Sequence, residues 1–192
     1  MDFTETQINR YARHIILDGV GGGGQQRLLQ AHVVVMGRGP AWANAILYLV
    51  AAGVGRLTLL QHQPLHTITS VEAVTGLPPG ASVTQLPEQL AQLNPDCTVC
   101  LHDHVPDDCD GVLGFDGAQC TLGRVPWQLW VQQKGAQVLL SPSPIEAICS
   151  DPSPSTSPLV ALHGHRLGSV AASEAIKALL MDQPPGAIEL AL

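Results

Sequence analysis

The chain has 192 residues, 45% of them hydrophobic and only 13% charged, whereas ordinary soluble domains carry about 25% charged residues, so a partner is expected to cover part of the surface. The formal net charge of −7 argues against nucleic acid or an anionic membrane as the main partner, and the sequence predicts neither a membrane span nor a signal-peptide core. The absence of both predicts a cytoplasmic location, and there the five cysteines, an odd number, are expected to be reduced thiols.

The first thirty residues predict a helical arm. Thr4 and Gln7 have the spacing of a capping box, which predicts a helix over residues 4–17. The glycine-rich stretch at residues 18–24 is expected to form a loop, and residues 25–30 one or two helical turns. Because the glycine run precedes the first predicted strand and no Gly-Lys-Ser/Thr closes it, we do not expect a phosphate-binding loop here.

A strand, turn, helix, strand unit at residues 32–60 is the centre of the predicted fold. The β-branched run Val33–Val35 predicts a buried strand, the small apolar residues up to Gly53 a helix, and Leu57–Leu60 a second strand. This order is the opening of a dinucleotide-binding βαβ motif. We therefore predict an α/β protein with a Rossmann-like, mostly parallel sheet flanked by helices, as a single domain with an N-terminal helix.

The turn after the first predicted strand departs from that motif. Gly37 and Gly39 supply the first two glycines, which make the tight turn and let the backbone approach a pyrophosphate. Trp42 stands in place of the third glycine, and Pro40 has no N–H to offer a phosphate. The sequence therefore indicates a weakened nucleotide site.

Further helices and strands are predicted downstream. They are a helix over residues 86–93, strands over 97–105, 112–115 and 137–140, a helix over 161–180 and a final strand over 188–192. Residues 126–134 are predicted to be helical, because Pro126 suits a first helical turn and places Trp127 and Trp130 three residues apart. That tryptophan pair is expected to lie in the core or at a dimer surface.

Four potential metal ligands fall within a nine-residue segment. Cys97, Cys100, His102 and His104 resemble a zinc ligand set, but a Cys-x-x-Cys pair chelates from a turn, and here a strand is predicted. On a strand only Cys100, His102 and His104 share a face. Since the sequence offers no identifiable fourth ligand, we favour a half-exposed strand with ordinary histidines and assign no metal site.

Asp116 follows the predicted strand at residues 112–115. Ligands bind beyond the carboxyl ends of the strands in this fold, so Asp116 is the one carboxylate placed for a magnesium or substrate role. The alternative is an aspartate that starts a helix or a turn.

Several segments, in this order, resemble the ThiF/MoeB/HesA family of ubiquitin-activating-enzyme-like proteins. They are RYARHIIL, VVVMGRG, ILYLVAAGVGRLTLL, LAQLNPD and GSVAASEAIKALL, and the resemblance runs from Arg10 to about Leu180. It implies a sheet that binds ATP, adenylation of the C-terminal glycine of a ubiquitin-like sulfur carrier, and a homodimer. It also divides the chain into an N-terminal arm (1–31), a nucleotide-binding-type core (32–140), a crossover loop (141–158) and a C-terminal helix and strand (159–192).

The chain departs from the family where the family binds ATP. The acidic residues after the second strand are replaced by Gln61 and Gln63, and the arginine and lysine that follow have no counterpart. The position of the magnesium-binding aspartate corresponds to Gly114, unless Asp116 takes its role, and both Cys-x-x-Cys zinc pairs are missing. The residues of the remnant nucleotide site are Gly37, Arg38, Gly39, Trp42 and Gln61.

Two functions remain open at this stage, and a weaker third is the binding of some other small molecule in the remodelled cleft, with Trp42 as one wall. The first is a non-catalytic scaffold or partner subunit without a cofactor, which forms a homodimer or a heterodimer with a catalytic relative and has a ubiquitin-like carrier protein as a further candidate partner. The alternative is a reduced but active adenylyltransferase that uses ATP and magnesium to activate a ubiquitin-like sulfur carrier or a small carboxylic acid. In that alternative, Asp116 and Arg13 are the candidate catalytic residues, and Arg38 adds charge at the nucleotide.

Overall fold

A computed structural model describes residues 3–60, 80, 82–115, 125–134, 137–142 and 158–191. Its strands are β1 (His32–Met36), β2 (Arg56–Leu60), β3 (Thr98–His102), β4 (Gly111–Phe115), β5 (Trp127–Lys134), β6 (Gln137–Ser141) and β7 (Ile188–Ala191). Its helices are α1 (Glu5–Ile15), α2 (Gly21–Gln30), α3 (Pro40–Ala52), α4 (Leu86–Leu93) and α5 (Pro158–Met181), and a 3₁₀ turn over Val83–Gln85 precedes α4.

The seven strands form one sheet in the order β3-β2-β1-β4-β5-β6-β7. The first five strands in this order run parallel, β6 runs antiparallel to β5, and β7 runs antiparallel to β6. The predicted Rossmann-like α/β class is therefore confirmed. From β1 the chain adds β2 and β3 on one side of the sheet and then continues with β4 on the other side of β1. The strand order therefore reverses between β1 and β4, and this is the topological switch point of the sheet. No described helix is both long enough and apolar enough to cross a membrane.

Both faces of the central strands are buried. Val33 and Val35 point into the main core, which α3 and α5 also line, while Val34 and Met36 point to the opposite face and join a smaller cluster with Trp130. Burial on both sides explains why β1 is a continuous apolar run rather than an alternating one.

Helix α1 begins with the predicted capping box and docks at the amino-terminal edge of the sheet. Thr4 and Gln7 form both capping hydrogen bonds. Tyr11 is fully buried, and its hydroxyl accepts a hydrogen bond of 2.9 Å from Asn94 Nδ2. Its ring packs at Gly53, which ends α3, where a Cβ would lie only 2.7 Å from Tyr11. Arg10 adds an ion pair with Asp96.

Helix α2 corrects the prediction of a loop at residues 18–24, because the helix already begins at Gly21. Its glycines allow close packing: a Cβ on Gly24 would lie 2.9 Å from Leu180 Cδ2 of α5. The buried side chain of Gln25 contacts His14 Nδ1 at 2.9 Å and donates to the Ala52 carbonyl at 3.0 Å. These tertiary contacts offset the entropic cost of glycine in a helix.

Strand β5 corrects the helix predicted over residues 126–134. Residues three apart share a face on a helix but lie on opposite faces of a strand, and Trp127 and Trp130 belong to the two different cores. Each tryptophan lies over its register partner in β4, Trp127 over Gly111 and Trp130 over Gly114. A Cβ on either glycine would overlap the indole, so the structure of this segment depends on glycines in a different strand.

The other elements agree with the predictions. Helix α4 has the predicted bounds, and the strands at 112–115 and 137–140, the C-terminal helix and the last strand are present. Residues 143–157, most of the predicted crossover loop, lie outside the described residues. The division of the chain into arm, core, loop and C-terminal part therefore stays a prediction.

Candidate functional site

The candidate site lies where β1 and β4 end side by side, at the switch point of the sheet. Gly37 leaves β1 and passes so close to the carbonyl of Phe115, the last residue of β4, that a Cβ would overlap it. Gly37 and Gly39 have φ angles of +111° and +95°, in the region that side chains disfavour. Both glycines are thus required by the turn, as the sequence predicts.

The first turn of α3 faces another helix. Pro40 is its first residue and has no N–H. A Cβ on Gly164 of α5 would lie 2.5 Å from Pro40 Cβ and 3.2 Å from the amide nitrogen of Ala41. On that side, the start of α3 has no room for even a methyl group.

Trp42 fills the core instead of lining an open cleft. Its side chain is 2% exposed and belongs to the main core with the residues of β1 and β2 that face α3. The motif places a glycine here so that helix and strand can pack closely. In this chain a buried indole stands at that position and packs within the core between the helix and the sheet.

A polar brace holds α5 against α3 near the site. Asn44, which is 7% exposed, donates from Nδ2 to the carbonyl of His165 at 2.6 Å and to Ser169 Oγ at 3.0 Å. Ser169 Oγ donates to the same carbonyl at 2.8 Å. Close packing at Gly168 accompanies this brace, so the position of α5 over the start of α3 is fixed by both sterics and hydrogen bonds.

The two candidate arginines lie far apart. Arg38 is exposed in the turn after β1, at the carboxyl edge of the sheet. Arg13 is exposed on α1, which docks at the amino-terminal edge beside Gly53. A five-residue strand spans about 17 Å, so the structure does not bring Arg13 to the glycine turn of its own chain.

Two further candidate residues, Gln61 and Asp116, lie outside the described residues. Gln61 follows β2 and Asp116 follows β4 in the sequence. Their roles at the nucleotide and at magnesium stay predictions.

The zinc-like segment does not form a three-ligand set. Strand β3 ends at His102, so His104 lies beyond the strand, and the alignment of Cys100, His102 and His104 on one strand face is lost. Burial raises the pKa of the Cys97 thiol to about 12, with a smaller contribution from Cys100, and this keeps Cys97 protonated. Within the described ranges, no three His, Cys, Asp or Glu residues are placed to hold one metal ion.

A polar cluster at the amino-terminal edge was not foreseen from the sequence. His32 Nε2 is 2.8 Å from Thr58 Oγ1, and the His32 amide donates to Asp110 Oδ2 at 2.7 Å. Asp108 forms an ion pair with Arg56 and lies 3.4 Å from His32 Nδ1. Burial, followed by the positive charge of Arg56, lowers the pKa of His32. These groups come from three separate segments, and only the acidic turn at 107–110 marks them in the sequence.

No family model matches the chain. Individual proteins that resemble it were found by sequence and by structure, and they agree with this architecture. It is 33% identical to the SAMP-activating enzyme E1 of Haloferax volcanii over 215 aligned positions, which cover 93% of this chain and 77% of that protein. It is 37% identical to the vegetative HesA protein of Trichormus variabilis and 39% identical to the sulfur carrier protein ThiS adenylyltransferase of Escherichia coli, but it spans only 44% and 36% of those proteins.

Among solved structures, Escherichia coli MccB superposes with a TM-score of 0.68 over 99% of this chain and 68% of MccB, at 14% identity, which shows a shared fold. The sheet order and glycine turn define a Rossmann-type α/β protein. With the Haloferax relative, they show that the chain belongs to the ThiF/MoeB/HesA family of ubiquitin-activating-enzyme-like proteins. The alignment with that relative has more positions than this chain has residues, so the chain lacks segments that the relative contains.

Proposed function

We propose that this chain is a non-catalytic member of its family, a scaffold or partner subunit in a ubiquitin-like, sulfur-carrier or biosynthetic pathway. The observation that carries the proposal is the start of α3. Pro40 removes one phosphate donor, and α5 packs against the amide of Ala41 through Gly164. The remnant site of Gly37, Arg38, Gly39, Trp42 and Gln61 then binds no cofactor.

The size of the lost interactions supports this proposal. A hydrogen bond to a charged group contributes about 1.5–3 kcal/mol, and each 1.4 kcal/mol is about a tenfold change in affinity. Loss of the donor at Pro40, of the acidic residue at Gln61 and of the family's arginine and lysine would together move a micromolar ATP site beyond the millimolar range.

The exposed apolar residues of the N-terminal arm support a partner-binding role. Ile8, Ile16 and Leu17 are large hydrophobic side chains that are about half or more exposed on and just after α1. The low charged fraction of the chain fits the same role. We propose a second copy of the chain or a catalytic relative as the partner on this face. The ThiS adenylyltransferase is named for its sulfur carrier, so a ubiquitin-like carrier is a further candidate partner. We also propose that the complex is located in the cytoplasm.

The test is calorimetric titration of the purified protein with magnesium ATP, together with Arg38→Ala and Pro40→Gly variants. We expect no saturable heat below millimolar ATP in the wild type. Pro40→Gly restores an N–H at the helix start and is the matched variant that asks whether this donor limits binding. Micromolar binding by the wild type that Arg38→Ala weakens would overturn the proposal, because it would show a working nucleotide site.

The second candidate function is a reduced but active adenylyltransferase that uses ATP and magnesium to activate a ubiquitin-like sulfur carrier or a small carboxylic acid. It is favoured by the turn itself, since Gly37 and Gly39 keep the first two glycines of the motif and both have positive φ angles. In this function Asp116 binds magnesium. Because Arg13 is remote from the glycine turn of its own chain, its catalytic role requires a second copy of the chain. Pyrophosphate exchange that Asp116→Ala abolishes would support this function.

A further inference from the structure

Two histidines stand at the end of the edge strand β3. His102 is the last residue of the strand and is the register partner of Leu60, the last residue of β2. His104 follows two residues later and is 73% exposed. The ring centroids of the two imidazoles are 5.7 Å apart, with the planes at 86°. Both rings therefore lie at the carboxyl edge of the sheet, on the β2 side of the switch point.

The pair has the separation of two imidazoles that share one metal ion. Bound metal lies about 2.0–2.1 Å from an imidazole nitrogen and so about 3.2 Å from the ring centre. Two rings on the same ion thus have centroids at most about 6.4 Å apart. The observed 5.7 Å is within that limit and corresponds to a nitrogen–metal–nitrogen angle of about 125°, that of a distorted tetrahedral arrangement.

A carboxylate fixes the tautomer of one ring. His104 Nδ1 lies 2.7 Å from Asp103 Oδ1. The carboxylate accepts this hydrogen bond, so the proton is on Nδ1 and the lone pair of the neutral ring is on Nε2. Ligating histidines in metal sites are held in the same way by a carboxylate on the other nitrogen.

We propose that His102 and His104 form a two-histidine site for a divalent transition metal of the zinc, nickel and copper class. Imidazole donors select these ions over magnesium and calcium. Water completes the coordination, because the described part of the chain supplies no third ligand to this pair. The site is separate from the remnant nucleotide turn at Gly37, and it does not depend on whether ATP binds there.

The experiment is calorimetric titration of the untagged protein with nickel chloride near pH 7.5. We expect one nickel ion per chain with saturation below millimolar metal, and no saturation by magnesium. His104→Asn is expected to weaken nickel binding at least about tenfold because it removes a ligand, and Asp103→Asn about tenfold because it weakens the hydrogen bond that orients the His104 ring. Because His104 and Asp103 are exposed, neither substitution threatens the fold.

His163→Asn on α5 is the matched control and should bind nickel as the wild type does. The proposal is overturned if the wild type does not saturate below millimolar nickel, or if His104→Asn binds as tightly as the wild type. It is also overturned if His163→Asn abolishes binding, since the ion would then lie elsewhere. The ATP titration has no bearing on any of these outcomes.

Discussion

Asn94 connects three parts of the molecule through one buried amide. Its side chain is 2% exposed, and Nδ2 donates to the Tyr11 hydroxyl at 2.9 Å and to the Val50 carbonyl at 2.7 Å. It therefore links the N-terminal arm, the end of α3 and the segment before β3. Buried polar groups left without a partner cost more than the bond itself contributes, so this residue is a sensitive point of the fold.

Asn94→Ala is expected to lower the free energy of unfolding by about 1–3 kcal/mol, because it leaves the Val50 carbonyl and the Tyr11 hydroxyl with one partner fewer. Urea denaturation measures this change. Asn9→Ala, at an exposed position of α1, is the control and should change stability by less than about 0.5 kcal/mol. Equal effects of the two substitutions would contradict the role assigned to Asn94.

His32 predicts a pH dependence of stability. Its pKa is lowered in the folded protein, first by burial and then by Arg56, against opposing effects of Asp108 and Asp110. In the unfolded chain a histidine takes up its proton near pH 6.5. Between that value and the lower folded pKa the unfolded state binds more protons, so stability falls as the pH falls from about 7. The free energy of unfolding, measured from about pH 7.5 to about 5.5, should fall less steeply in His32→Asn, and identical slopes would refute the prediction.

At the scale of elements, α5 packs closely against α3 through glycines of α5. A Cβ on Gly168 would lie 2.8 Å from Asn44 Cβ and 3.0 Å from the amide nitrogen of Ala45. Gly23 of α2, by contrast, is exposed, and a Cβ there would meet nothing within 4 Å. The two helices therefore respond differently to the same substitution.

Gly168→Ala is expected to destabilise the protein by about 1–3 kcal/mol through overpacking. Gly23→Ala is expected to stabilise it by about 0.4–1 kcal/mol, since alanine loses less backbone entropy on folding. Urea denaturation of the pair gives both values. A gain in stability from Gly168→Ala would show that α5 can move off α3, which would also weaken the argument that α5 closes the start of α3.

For the whole molecule, the exposed apolar side chains of the arm predict association. Ile16 is 83% exposed. Only 13% of the residues are charged, so few charged side chains oppose association through this apolar surface. We expect light scattering to give more than the mass of one chain for the wild type, and a monomer for Ile16→Glu. Met181→Glu changes an exposed methionine at the end of α5 and should leave the mass unchanged. A monomeric wild type would leave a catalytic relative as the partner to test, by co-expression.

Much of the fold could be predicted from the sequence where the signal is local. The capping box at Thr4, the bounds of α4 and the βαβ unit at 32–60 follow from neighbouring residues, and the structure confirms them. Within the candidate site, the glycine turn was predicted for the same reason. The predictions for α2 and β5 were wrong, because both elements depend on packing partners far away in the chain.

The family, the parallel α/β architecture and the missing phosphate donor at the start of α3 follow from the amino-acid sequence alone, because each depends on short runs of apolar spacing or on single residues such as Pro40. Three other facts required the folded chain: Trp42 is buried in the core, Gly164 closes one side of the α3 start, and Arg13 lies at the opposite edge of the sheet from Gly37. These facts depend on which elements meet in space, and distances between elements are set by long-range packing that no local pattern encodes.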